Sequence, residues 1–146
     1  MKVHISISEQ RLSCGEQSYP ISSGKAGTGS EEGSGKTPLG RFRIASKHGS
    51  NAPSNTIFVG RLPIGLYPDE LPAGAKEGIL ARILTLDGLD ASNANTMARY
   101  IYIHGTSDEA HIGQPASLGC IRMRPPDIIE LYDQLALGDE VSIEFF

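Results

Sequence analysis

Val3, Ile5 and Ile7 alternate with His4, Ser6 and Ser8, so the chain is predicted to open with a strand that buries one face. A turn at Cys14-Gly15-Glu16 returns the chain through Tyr19-Pro20-Ile21 as a hairpin. Residues 24–37 are polar and rich in glycine and read as a flexible surface loop. Alternation resumes in Arg41-Phe42-Arg43-Ile44-Ala45, residues 48–55 are loop-like, and Thr56-Ile57-Phe58-Val59 reads as a short buried strand. Three prolines, Pro63, Pro68 and Pro72, break up residues 63–78, which are expected to wrap the surface. The apolar run Ile79 to Leu86 precedes a turn at Asp87-Gly88, and Tyr100-Ile101-Tyr102-Ile103 is a strand expected to deliver His104 at its end. Near the C-terminus Ile128, Leu131, Tyr132 and Leu135 recur at the spacing of one helical face. Pro126 suits the first turn and Gly138 the stop, which puts a helix at about 126–136. Val141, Ile143 and Phe145 alternate with charged and polar residues as a last strand. There is no internal repeat and no linker, so the pattern is that of a single, mainly β domain over 1–146 with one helix.

Composition narrows the class. A chain of 146 residues is long enough for one buried core. Its 17 glycines and 9 prolines favour many turns and short strands over a helical bundle. The net charge is −4 with no basic stripe, which excludes the electrostatic footprint of a nucleic-acid binder. No run reaches the roughly 20 apolar residues of a membrane span, and Met1 leads straight into the first strand pattern rather than an export signal. The chain as it stands is therefore expected in the cytoplasm, or in the periplasm if it is a processed form. Cys14 and Cys120 lie far apart and are expected to be two free thiols.

Two familiar patterns fail. Alignment of Gly35-Lys36-Thr37 on a phosphate-binding loop places Ser30 where the first glycine belongs, and a strand rather than a helix follows. A dinucleotide fingerprint beginning at Gly27 and Gly29 meets Glu32 in place of its third glycine. A zinc site from His104, His111 and Cys120 lacks a fourth ligand and any paired spacing, so no metal is expected. His4 and His48 read as surface residues.

What remains is His104-Gly105-Thr106 and, after a loop, Ser117-Leu118-Gly119-Cys120-Ile121-Arg122-Met123. A free thiol titrates near about 8.5, so a nucleophilic cysteine needs a base or a cationic environment beside it. His104 is the candidate base, with a backbone carbonyl at Gly105 to fix its tautomer. Gly119 lets a substrate approach the main chain, and the amides of Gly119 and Cys120 are candidate oxyanion donors. Arg122 lies two residues past Cys120, hence on the same face if that segment is extended, and suits a carboxylate.

Ile103-His104-Gly105-Thr106 followed by Ser117-Leu118-Gly119-Cys120-Ile121-Arg122-Met123 resembles the signature of the YkuD-type L,D-transpeptidase catalytic domain. The His and Cys have 15 residues between them. Gln10-Arg11-Leu12, Tyr19 to Lys25 and Lys36 to Phe42 resemble the opening of that family, and Gly138 to Ile143 its end, so the resemblance is weakest over residues 48–98. Leu118 stands where many members carry histidine, which leaves His104 as the sole base, and His111 falls in the intervening loop or rim. The resemblance implies a β-sandwich and acyl transfer on peptidoglycan stem peptides or muropeptides. Cys120 and His104 would be catalytic, Gly119, Gly105 and Ser117 orienting or oxyanion-stabilising, and Arg122, Tyr102 and Thr106 substrate-binding. No cofactor is implied. Transfer to an amine gives a cross-link, and transfer to water gives an L,D-carboxypeptidase suited to muropeptide recycling. The reading from another class is a non-catalytic peptidoglycan-binding or redox thiol module.

Overall fold

The computed structural model describes residues 1–75 and 77–146; Lys76, inside the proline-broken stretch 63–78, lies outside the described residues. The alternating segments are strands. β1 (Lys2–Ser6) buries Val3 and Ile5, and β2 (Arg11–Cys14) with β3 (Gln17–Pro20) forms the expected hairpin beside it. Gly15 turns that hairpin at φ +60°, a conformation open mainly to glycine. The last strand, β10 (Glu140–Glu144), runs parallel to β1 and antiparallel to β4 (Gly40–His48), which in turn pairs with β7 (Ile79–Gly88). Chain ends and middle are thus joined in one sheet around Val3, Ile5, Phe42, Ile44, Val141 and Ile143.

β7 is the hub. One of its edges is shared by β4 and by β5 (Thr56–Val59), while β8 (Tyr102–Thr106) pairs along the other. A bulge at Ala81, whose φ is +74°, separates the two halves. β9 (Ile121–Met123) then adds to β8 in parallel. Just past β3, Ser22 exchanges two 2.9 Å backbone hydrogen bonds with Arg122 of β9, so the far ends of the sheet meet and the sheet curls round on itself.

The helical stripe is α1 (Pro125–Gln134), which packs on β7 and β8 through Ile128, Leu131 and Tyr132. Ile128 and Leu131 each contribute about 1.5–3 kcal/mol on burial. Leu135 adopts extended backbone, so the helix stops two residues short of the predicted end, and the turn at Gly138 follows it. A Cβ on Gly105 would lie 2.3 Å from the Leu80 carbonyl and 3.1 Å from Ile128, so glycine there lets β7 and the helix approach β8.

Four expectations are corrected. Residues 62–66 form β6 (Leu62–Leu66), an edge strand that tolerates Pro63 because it pairs only with β5. Gly88 is not a turn but the last residue of β7, opposite Phe42. Tyr100 takes φ +57°, which breaks the extended run, so β8 begins at Tyr102 and His104 sits mid-strand rather than at its end. Finally, the glycine-rich segment 24–37 is tied down: Thr37 is fully buried, accepts from the Gly24 amide and donates to the Gly119 carbonyl, both at 2.8 Å.

Candidate active site

The parallel pairing of β8 with β9 sets His104 opposite Arg122 and Ile103 opposite Ile121. Paired residues share a face of the sheet, and so do residues two apart along a strand. Ile103 and Ile121 therefore enter the core, while Tyr102, His104, Cys120 and Arg122 share the other face. His104, Cys120 and Arg122 line one cleft of about 260 Å³ together with Ser117, Leu118, Glu77, Gly78 and Ile79.

His104 is 5% exposed, and its Nδ1 lies 2.7 Å from the Gly105 carbonyl. A carbonyl only accepts, so Nδ1 carries the hydrogen and Nε2 is the basic nitrogen. Burial pushes the imidazole down to about 4, opposed by the Gly105 hydrogen bond and assisted by the charge of Arg122. Cys120 is only half-buried as a residue, yet burial pushes its thiol up to about 11, against the pull of the Tyr102 amide and of Arg122 and Arg99. Its Sγ accepts from Tyr102 N–H at 3.3 Å and lies 3.4 Å from the Tyr100 carbonyl, toward which the S–H donates. Burial thus favours the neutral form of both groups.

The turn that carries the thiol is braced from within. Ser117 Oγ donates to the Cys120 carbonyl at 2.7 Å and accepts from Gly119 N–H at 3.1 Å. Of the two amides expected to face an oxyanion, that of Gly119 is thus engaged internally. Gly119 has φ +125°, with the Lys36 carbonyl 3.1 Å from any added Cβ, so a side chain there meets both strain and the neighbouring loop. Leu118 projects at 91% exposure on the rim.

Arg122 is 3% exposed and already surrounded: its guanidinium pairs with Glu77, lies 3.3 Å from Asp108 and donates to Ser22 Oγ at 3.2 Å. Its Nε is buried without a partner among the described residues. Thr106, fully buried, donates to Glu77 at 3.1 Å and accepts from the Asp108 amide, so it belongs to the same network. Tyr102 meets the sulfur through its backbone, while its side chain lines a neighbouring hollow. His111 is bound to Asp108 at 2.8 Å on the rim. Sequence reasoning missed Glu77, Asp108 and Thr37, which stand far from the motif or among unremarkable loop residues. Among the described residues no group of three His, Cys, Asp or Glu could hold a metal ion.

The buried neutral His104 links stability to pH. Its folded value of about 4 lies below the ordinary 6.5, so between those limits the unfolded chain binds a proton that the fold refuses. Stability from this group is full above pH 6.5 and declines as pH falls toward 4, by about 3 kcal/mol. Urea midpoints measured across that range should therefore fall more steeply for the parent than for His104→Gln; equal slopes would contradict the burial of a neutral imidazole.

The chain matches the family model described as YkuD, L,D-transpeptidase catalytic domain, over residues 1–143. It is 49% identical over 41 residues to the putative L,D-transpeptidase YkuD of Bacillus subtilis (strain 168), a stretch covering 28% of this chain and 25% of that one. In three dimensions it resembles an L,D-transpeptidase from Mycobacterium smegmatis, with 15% identity and a TM-score of 0.60 over 98% of this chain and 58% of the other. A similar likeness holds to an L,D-transpeptidase from Xylanimonas cellulosilytica, at 19% identity and TM-score 0.62, over 98% of this chain and 59% of that one. The chain thus spans about three-fifths of the length of these solved structures.

Proposed function

Since the chain belongs to the YkuD L,D-transpeptidase catalytic-domain family, we propose that it is a cysteine acyltransferase that cleaves the L,D bond before a terminal D-Ala of a peptidoglycan stem peptide. The observation that carries this reading is the one cleft holding the Cys120 thiol and a His104 whose Nδ1 is committed to Gly105. That commitment leaves Nε2 as the proton acceptor.

Cys120 Sγ attacks the carbonyl of the third stem residue while its proton passes to His104 Nε2. A base whose own value is about 4 holds a proton weakly, so the imidazolium is a strong acid for the leaving amine. The Cys120 amide stabilises the oxyanion. C–N cleavage releases D-Ala carrying that proton and leaves a thioester on Cys120. An amine of a second stem then closes a cross-link, or water yields the tripeptide, with His104 taking the proton from either acceptor. Ser117 and Gly105 act as positioning residues. Arg122, neutralised by Glu77 and Asp108, holds the substrate-side wall together with Thr106.

A soluble disaccharide-tetrapeptide incubated with the protein is expected to lose D-Ala, and mass spectrometry of quenched protein should show the tripeptidyl adduct on the Cys120 peptide. Adding an amine acceptor decides between cross-linking and hydrolysis. No adduct and no D-Ala release with any stem peptide would leave the binding or redox reading in its place.

A further inference from the structure

The sheet register extends the face of Cys120 well beyond the cleft. The Tyr102 amide meets Cys120 Sγ, Thr85 of β7 stands opposite Tyr102, and Ser46 of β4 opposite Thr85. Over this row lies a hollow of about 330 Å³ lined by Arg61, Thr85, Leu86, Met97, Tyr100 and Tyr102, among others. Tyr100 and Tyr102 are the two residues whose backbone touches Cys120 Sγ, so the hollow begins directly behind the thiol.

Among the described residues, Arg61 is the one charged side chain lining this hollow. Arg41, Arg43 and Arg122 have carboxylate partners, and Arg82 and Arg99 donate to carbonyls. Among the described residues, no salt bridge or side-chain hydrogen bond engages Arg61. Its charge nevertheless reaches across the hollow. It opposes the upward push of burial on Tyr102, and it adds to the burial that lowers His48. Its backbone is unusual as well. Gly60 and Arg61 form the two-residue turn between β5 and β6 with φ +56° and +67°. Both positive angles suit Gly or Asn, and an arginine there is strained.

We propose that Arg61 is a specificity-determining residue that binds a carboxylate of the peptide acylating Cys120, in the hollow between the β5–β6 turn and Tyr100–Tyr102. This rests on the acyl-transfer reading above and deepens it. Strands are spaced by about 4.8 Å, so the hollow lies roughly one to two spacings from the sulfur. At about 3.3 Å per extended residue, a carboxylate within about three residues of the reacting carbonyl reaches it. The guanidinium of Arg122, by contrast, is already matched by Glu77 and Asp108 and is not free to take a substrate carboxylate.

The test uses the full chain carrying Cys120→Ala, which cannot acylate, titrated with a tetrapeptide stem ending in D-Ala and with analogues in which each carboxylate in turn is an amide. Arg61→Gly suits φ +67° and is expected to keep or raise Tm while weakening binding of the free-acid peptide about tenfold to hundredfold. Arg61→Asn, which suits the same turn, should behave alike, and Arg61→Lys should lose less. One amidated analogue should bind equally well whether or not Arg61→Gly is present, identifying the carboxylate. With Cys120 restored, kcat/KM should fall by the same factor. Unchanged affinity in both variants, or an equal loss for every amidated analogue, overturns the proposal. If binding of the free-acid peptide depends on Arg61 but the parent releases no D-Ala, the hollow is a carboxylate site and the acyl-transfer reading is what falls.

Discussion

Cys120→Ala is expected to give a folded protein whose D-Ala release is below detection, a loss on the order of 10⁶-fold. His104→Gln should lose about 10²–10⁴-fold, and the double variant should be no worse than Cys120→Ala, because the pair acts as a unit. The physical reason is that burial pushes the thiol up to about 11, so thiolate is scarce at neutral pH and the proton has to leave for His104 Nε2 as the C–S bond forms. A base with a value of about 4 is ready to accept a proton at any pH above that. Parent kcat/KM should consequently stay flat down to about pH 5 and fall below it. His104→Gln should instead gain about tenfold per pH unit toward pH 10, as thiolate forms without assistance. Steady-state rates from pH 4 to 10 decide this. A His104→Gln enzyme with the parent rate at pH 7 would remove His104 from the chemistry.

Arg122→Ala is expected to cost about 2–3 kcal/mol, read as a lower urea midpoint and a Tm drop of about 5–10 °C. Removing one member of a buried ion pair leaves its partners uncompensated, which ordinarily costs about 3–5 kcal/mol. Here Glu77 and Asp108 keep 41% and 26% of their side-chain surface in water, so they rehydrate and the cost falls below that range. Glu77→Gln should cost much less, because it removes an exposed charge and leaves Asp108 beside the guanidinium. Arg122 also lowers His104, so its loss should raise the acid limb of the rate profile as well. An Arg122→Ala protein as stable as the parent would mean that the network is a surface feature rather than a brace between β9 and the loop after β8.

Much of this protein was legible in order along the chain. Period-two alternation located β1, β4 and β10, and the 3.6-residue stripe located α1, because each buries one face against the same core and local pattern reports burial directly. His104, Gly105, Ser117, Gly119 and Cys120 lie in two short motifs that the β8–β9 pairing brings together, so their types and spacing sufficed to propose a site. Edge strand β6 escaped because Pro63 is forbidden only where both edges of a strand are paired, a fact of sheet order and not of sequence. The glycine-rich segment looked mobile because its restraint comes from Thr37 on Gly119, 82 positions away.

Electrostatics depended still more on the tertiary structure. Arg122 read as a cation awaiting substrate, and only the fold supplies Glu77 and Asp108 to neutralise it. Arg61 carried no signal until the β5–β6 turn set it over the row behind Cys120. Which elements form, and which two side chains are the candidates for the chemistry, could be read from sequence, since periodicity and motif are local properties. Register, the partners of each charge and the protonation of Cys120 and His104 were decided by the tertiary structure, because burial and Coulomb interactions depend on distance through space, which sequence separation does not measure.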